Sequence, residues 1–201
     1  MAVELVFTER KSQLTAARAR NYARLQERLA AASGQAVDAA HYEELDPVRL
    51  GQASSIVLSG SSAPWSDHDP AELARLGEAV RAAGRPLLGI CAGMQLQALF
   101  AGSKVGPAPI RELGFLPIRV HDHSDLLRGL ASEVVVFQDH ADEVSELPAS
   151  FRVLASSAAC AVQAIADSER RWWGTQFHPE EFESDYPAGE LVLRAFFTLA
   201  A

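Results

Sequence analysis

The chain has no run of basic residues, no apolar stretch long enough to cross a membrane, and only two cysteines among its 201 residues. Each shortage removes a class of function. Eighteen Lys and Arg face 26 Asp and Glu, for a formal net charge of −8. Phosphate backbones call for a basic stripe, so nucleic acid is not the expected partner. Nothing approaches the roughly 20 consecutive apolar residues of a spanning helix, so no membrane role is expected. The first apolar run, residues 2–7, carries Glu4 inside it and has no cationic start, so it reads as a strand and not an export signal. Cys91 and Cys160 are too few for a disulfide framework. Without an export signal both are expected to be reduced, in a cytoplasmic protein.

What is present is an ordinary globular composition, 48% apolar and 22% charged. The length suits one α/β domain over residues 1–201 and is short for two. After the opening strand, residues 11–32 have helical spacing and stop at Gly34. Residues 36–42 and 56–58 read as strands, the second running into Ser59-Gly60-Ser61-Ser62. Asp69 and Pro70 start a helix that ends before Gly84. Residues 86–90 form another short apolar strand, and 92–101 a helix. This alternation implies a mostly parallel sheet with helices on both faces. Val105 and residues 115–120, 134–137, 151–155, 160–165 and 172–177 are further strand candidates, expected to add antiparallel pairs. Residues 188–199 form a closing amphipathic helix.

The most informative stretch is Gly89-Ile90-Cys91-Ala92-Gly93-Met94-Gln95. Its order is strand, Gly-x-Cys-x-Gly, helix. That is a nucleophile elbow with Cys in place of Ser. So sharp a turn needs small neighbours, which Gly89 and Gly93 supply. It lifts the sulfur to a helix N-terminus, where the partial positive charge favours thiolate. A buried structural cysteine is the bland alternative, disfavoured by the paired glycines.

A second stretch, Gly174-Thr175-Gln176-Phe177-His178-Pro179-Glu180, ends a strand on a histidine. Pro179 holds His178 extended, and Glu180 is expected to lean to the same side of that extended segment. A carboxylate on Nδ1 leaves Nε2 free to face a thiol, the logic of a nucleophile, base and orienter. Glu181 should point the other way. Alone the His-Pro-Glu run is weak; joined to the elbow it becomes specific.

Together these motifs resemble those of the class I glutamine amidotransferases. A third stretch, Asp139-His140-Ala141-Asp142-Glu143-Val144 followed by Leu147-Pro148 and Phe151, resembles the GMP-synthase type. The resemblance implies a three-layer αβα, flavodoxin-like fold. It implies a glutaminase in which Cys91 attacks L-glutamine, His178 acts as acid and base, and Glu180 orients it. Backbone N–H groups of Ser61 and Ala92 would form the oxyanion hole. Gly60, the side chains of Met94 and Gln95, and the backbone of Asp139, His140 and Ala141 would hold the substrate. No cofactor is implied. A separate synthase would receive the ammonia, since the chain has no room for one.

One departure matters. The family reads Ser-Gly-Gly-Pro where this chain has Ser59-Gly60-Ser61-Ser62. Loss of glycine freedom at position 61 raises the expectation of an oxyanion hole completed only when a partner docks. Trp65 lies near the expected mouth, as a lid, a partner contact or a packed aromatic. His121-Asp122-His123 has a metal-like look but no further ligand set, and reads better as a polar turn. Cys160 reads as core, and no Walker-type phosphate loop is visible. Two other readings stay open: a stand-alone cysteine hydrolase of γ-glutamyl compounds, and a catalytically silent binding or regulatory relative.

Overall fold

The computed structural model describes residues 1–201. The chain alternates strand and helix through β1 (Val3–Phe7), α1 (Ala16–Ser33), β2 (Val37–His41), α2 (Pro47–Gln52), β3 (Ser55–Leu58), α3 (Pro70–Ala83), β4 (Leu87–Ile90) and α4 (Ala92–Phe100). It then becomes strand-rich through β5 (Lys104–Val120), β6 (Glu133–Glu146), β7 (Arg152–Ser156), β8 (Ala164–Asp167) and β9 (Trp172–Thr175), and closes on α5 (Ala188–Ala200). The nine strands form one sheet in the order β2-β1-β3-β4-β9-β8-β7-β5-β6. Strands β2, β1, β3, β4 and β9 run parallel; β8, β7, β5 and β6 add antiparallel pairs.

Side-chain alternation along the strands separates two apolar layers. Val3, Leu5, Val57, Leu88 and Ile90 pack with Leu25 and Leu29 of α1 and with Val192, Leu193 and Phe196 of α5. Val6, Ile56, Leu58 and Leu87 pack on the other face with Leu50, Leu76, Val80, Met94 and Leu96 of α2, α3 and α4. Local chemistry sets the helix ends. The Thr15 hydroxyl accepts from the Arg18 N–H, and Asp69 accepts from the Ala71 N–H at 2.8 Å. Gly34 and Gly84 end α1 and α3 in the left-handed region, at φ 67° and 59°. No helix is long and apolar enough to cross a membrane.

Several expected elements shift. Residues 11–13 form a separate 3-10 turn, so α1 starts later than its periodicity suggests. Helix α2 is added by an Asp46 cap and Pro47 at its first turn; at six residues it is too short to show a period. The separate segments at Val105, 115–120 and 134–137 belong to one long β5–β6 hairpin. Glycines and prolines along β5 hide its continuity, and a register shift separates Pro107 from Glu112. The 160–165 strand is displaced to Ala164–Asp167, which leaves Cys160 in the preceding turn, buried as expected. His121-Asp122-His123 is a polar turn: His121 Nε2 lies 2.7 Å from Ser156 Oγ, and Asp122 accepts the Ser124 N–H and pairs with Arg152.

Candidate active site

Strand order explains how distant residues meet. Strands β3, β4 and β9 are neighbours and parallel, so the segments leaving their C-terminal ends share one edge of the sheet. Gly60 follows β3, Cys91 follows β4 and His178 follows β9.

Cys91 has φ 51° and ψ −109°, a strained conformation for a residue with a side chain. Its N–H donates to the Thr175 carbonyl at 2.7 Å, tying the elbow to β9. The two glycines are required by contact. A Cβ on Gly93 would stand 2.3 Å from the Leu58 carbonyl oxygen, and one on Gly89 would stand 2.6 Å from the backbone of Gly93. The sulfur lies 3.8 Å from the Asp139 carbonyl and 3.6 Å from Gln176 Nε2.

His178 donates its own N–H to the Phe137 carbonyl at 2.8 Å, which fixes the segment against β6. Its Nδ1 lies 2.9 Å from Glu180 Oε1. Glu180 arrives by a different route from the extended one expected. Residues Pro179–Glu181 form a 3-10 turn with Pro179 at its start, a position where the missing N–H costs nothing. That turn swings Glu180 back under the imidazole. Glu181 points away, as expected, to Arg24 at 2.6 Å. Burial pulls the imidazole pKa down, but the charges and hydrogen bonds of Glu180 and Cys91 outweigh it, so His178 stands well above its ordinary value. With Nδ1 committed to Glu180, Nε2 is left to face Cys91.

A cavity of about 590 Å³ opens over this group. Cys91, Ala92, His178 and Glu180 line it, with Gly60, Ser61, Gln95, Asp139, His140 and Ala141. Gly60 needs its hydrogen: a Cβ there would lie 2.9 Å from His178 Cε1. Met94 departs from expectation. Its side chain is fully buried in the apolar layer beneath, against Gly174, and does not reach the cavity. Helical spacing rotates it inward while Gln95 turns to the site. Ala63, Pro64 and Trp65 form part of the cavity wall, the Trp65 ring lying 5.5 Å from that of His68.

Other side chains at the site carry no local signal in the sequence. Gln95 Nε2 donates to the Asp142 carbonyl at 2.9 Å and to Gln176 Oε1 at 3.1 Å, which aims the Gln176 amide at the sulfur. His140 is held from behind, with Nε2 3.1 Å from Glu112 Oε2 and Nδ1 3.2 Å from the Asp142 carbonyl. Gln163 donates to the same Glu112 oxygen at 2.7 Å. Cys160 lies close to Glu112 and His140, within ligand spacing of a metal. These groups satisfy one another through hydrogen bonds, and the Cys160 thiol donates to the Val162 carbonyl. From β1 and α1 come Glu9, Arg18 and Tyr22, the first two joined as an ion pair.

The fold and site define a thiol-dependent α/β architecture with its reacting groups at the strand ends, and the comparisons agree. Residues 20–199 match the family model described as Glutamine amidotransferase class-I, and the chain belongs to that family of enzymes. It is 40% identical over 162 residues to a GMP synthase [glutamine-hydrolyzing] of Geobacillus kaustophilus, covering 77% of this chain and 31% of the relative. The Bacillus subtilis GMP synthase is 38% identical over the same shares. The chain thus spans under a third of the length of these curated relatives. A solved GMP synthase subunit of Thermoplasma acidophilum superposes with a TM-score of 0.82 at 29% identity, covering 100% of this chain and 94% of that one. The glutaminase domain of a Trypanosoma brucei CTPS, at 16% identity and TM-score 0.75, shares the fold.

Proposed function

We propose that the chain, as one domain over residues 1–201, hydrolyses L-glutamine to glutamate and ammonia. The ammonia passes to a separate synthase, and the GMP synthase relatives favour one that makes GMP. The setting is cytoplasmic, with both cysteines reduced. The observation that carries this reading is the strained Cys91 elbow sharing one cavity with a His178 imidazole held by Glu180.

Cys91 thiolate attacks the side-chain amide carbon of glutamine, and the carbonyl electrons move onto oxygen. The Ser61 and Ala92 N–H groups receive that oxyanion; Ala92 opens α4, where the first N–H groups have no helical partner. The C–N bond then breaks, and His178 gives its proton to the departing nitrogen as ammonia. Water enters, His178 takes one of its protons, and hydroxide attacks the thioester. Glutamate leaves and the thiolate returns. Glu180 fixes the imidazole orientation and stabilises its charged form. Gly60, Gln95 and the backbone of Asp139, His140 and Ala141 hold the amino-acid end of the substrate. Met94 supports this shell from the core.

The test is glutamate release by Cys91→Ala. The expected result is complete loss with an unchanged melting temperature; turnover at the wild-type rate refutes the assignment. Hydrolysis of γ-glutamyl peptides by a wild-type chain inert toward glutamine would favour the stand-alone hydrolase. Inertness toward both, with no labelling by a glutamine-analogue electrophile, would leave the silent relative.

A further inference from the structure

We propose that the hydroxyls of Ser59, Thr8 and Tyr22 are a positioning device for glutamine hydrolysis, anchoring the Gly60 carbonyl so that the Ser61 N–H is set for the oxyanion before any partner docks. The inference rests on the glutaminase reading above.

Three hydroxyls converge on one carbonyl. Ser59 Oγ lies 2.8 Å from Gly60 O, and Thr8 Oγ1 and the Tyr22 hydroxyl each lie 3.3 Å from it. Proton accounting ranks them. Ser59 Oγ accepts the Thr8 N–H at 3.1 Å, so its own proton is free to go to Gly60. Thr8 Oγ1 has its shorter contact with the Ser59 carbonyl, at 2.9 Å, and braces the preceding peptide. Tyr22 divides its proton between Gly60 O and Glu9 Oε2, the latter at 3.2 Å. Arg18 holds the other oxygen of Glu9, which limits the carboxylate's hold on that proton. The Tyr22 ring is itself fixed by stacking on Phe7, centroids 4.2 Å apart.

A trans peptide sets its N–H opposite its carbonyl. Three donors on Gly60 O therefore fix where the Ser61 N–H points. That N–H makes no hydrogen bond within the chain, and Ser61 lines the cavity with Cys91. Ser61 takes no positive φ, so the arrangement asks for no glycine there. The Ser61 hydroxyl accepts the Ala63 N–H at 3.1 Å, which holds the loop downstream. Glycine's freedom to flip is replaced by an anchor, and the flip is not needed.

The variants are Ser59→Ala and Tyr22→Phe, each removing a hydroxyl with little change of shape. Two rates are read on the full chain: glutamate release from glutamine, and alkylation of Cys91 by iodoacetamide. Alkylation needs the thiolate but forms no oxyanion, so it reports on Cys91 and His178 alone. The expected result is a kcat roughly tenfold lower in each variant, part of the 10²–10³ that a lost oxyanion donor costs. KM and the alkylation rate should stay within about twofold of wild type. Unchanged kcat in both variants overturns the proposal. A parallel fall in alkylation also overturns it, because the hydroxyls then serve the thiol pair or the fold. A wild-type chain that alkylates but releases no glutamate overturns the glutaminase reading itself, and this inference with it.

Discussion

Burial alone drives an imidazole toward its neutral form, yet His178 goes the other way because Glu180 and Cys91 outweigh burial. The sign of the resulting pH dependence follows. Below the unfolded value of 6.5 the ring is charged in both states, and the folded chain has the full benefit of the pair. That benefit is lost as pH rises through the raised folded value. Melting temperatures taken from about pH 6 to about pH 9 should therefore fall more steeply for wild type than for Glu180→Gln. Parallel slopes would mean that Glu180 does not hold the charge. The two cysteines should also separate. Burial pushes the Cys160 thiol up to about 12, and it is 1% exposed. Cys91 sits at a helix N-terminus and lines the cavity. Brief iodoacetamide treatment followed by peptide mapping should find carbamidomethyl on Cys91, with Cys160 modified only after unfolding. Equal labelling of both in the native chain would contradict this.

At the scale of elements, the site depends on how closely strand ends and turns approach. Gly60 lets the β3 exit press on the imidazole; a methyl there would stand 2.9 Å from His178 Cε1 and 3.6 Å from Cys91 Cβ. The neighbour is a side chain that can move, so Gly60→Ala should fold with little change in melting temperature. Its glutamate release should fall on the order of 10²-fold, the scale of an ångström misplacement of a reacting group. Gly93→Ala differs in kind, because its methyl meets backbone at Leu58, 2.3 Å away. That variant should lose both stability and activity in thermal melts and turnover. If Gly93→Ala melts like wild type, the elbow is not as tight as its geometry implies. The same elements show what the sequence could disclose. Strand and helix through Phe100 are legible because each carries a full period and a cap or stop. The β5–β6 hairpin is not, because Gly106, Pro107, Pro109 and Gly114 break its alternation although its pairing continues. The 3-10 turn that delivers Glu180 is hidden for a related reason. Pro179 forbids nothing at the start of a helical turn, so the residues around it fit an extended or a turned path equally well.

Across the whole molecule, the reacting groups were readable as types and the supporting network was not. Cys91, His178 and Glu180 sit in compact motifs. Ser59, Thr8, Tyr22, Glu112 and Gln163 act through contacts that exist only after β1, α1 and the antiparallel strands are assembled around the elbow. Parallel strands β3, β4 and β9 bring the three exits to one edge, and the cavity above them opens outward from the chain. Ammonia released there is useful only if a second protein receives it. The relatives carry more than twice the matched length outside the matched part, as the 31% coverage implies. This gives the last prediction its form. In the presence of the GMP-forming synthase, wild-type chain should support GMP formation from glutamine. Cys91→Ala should abolish glutamine-driven formation and leave formation from added ammonium salt at the level of the synthase alone. Chromatographic measurement of GMP under both nitrogen sources separates the outcomes. Loss of both activities would place Cys91 in the assembly of the complex. Retention of glutamine-driven synthesis would take the thiol out of the chemistry.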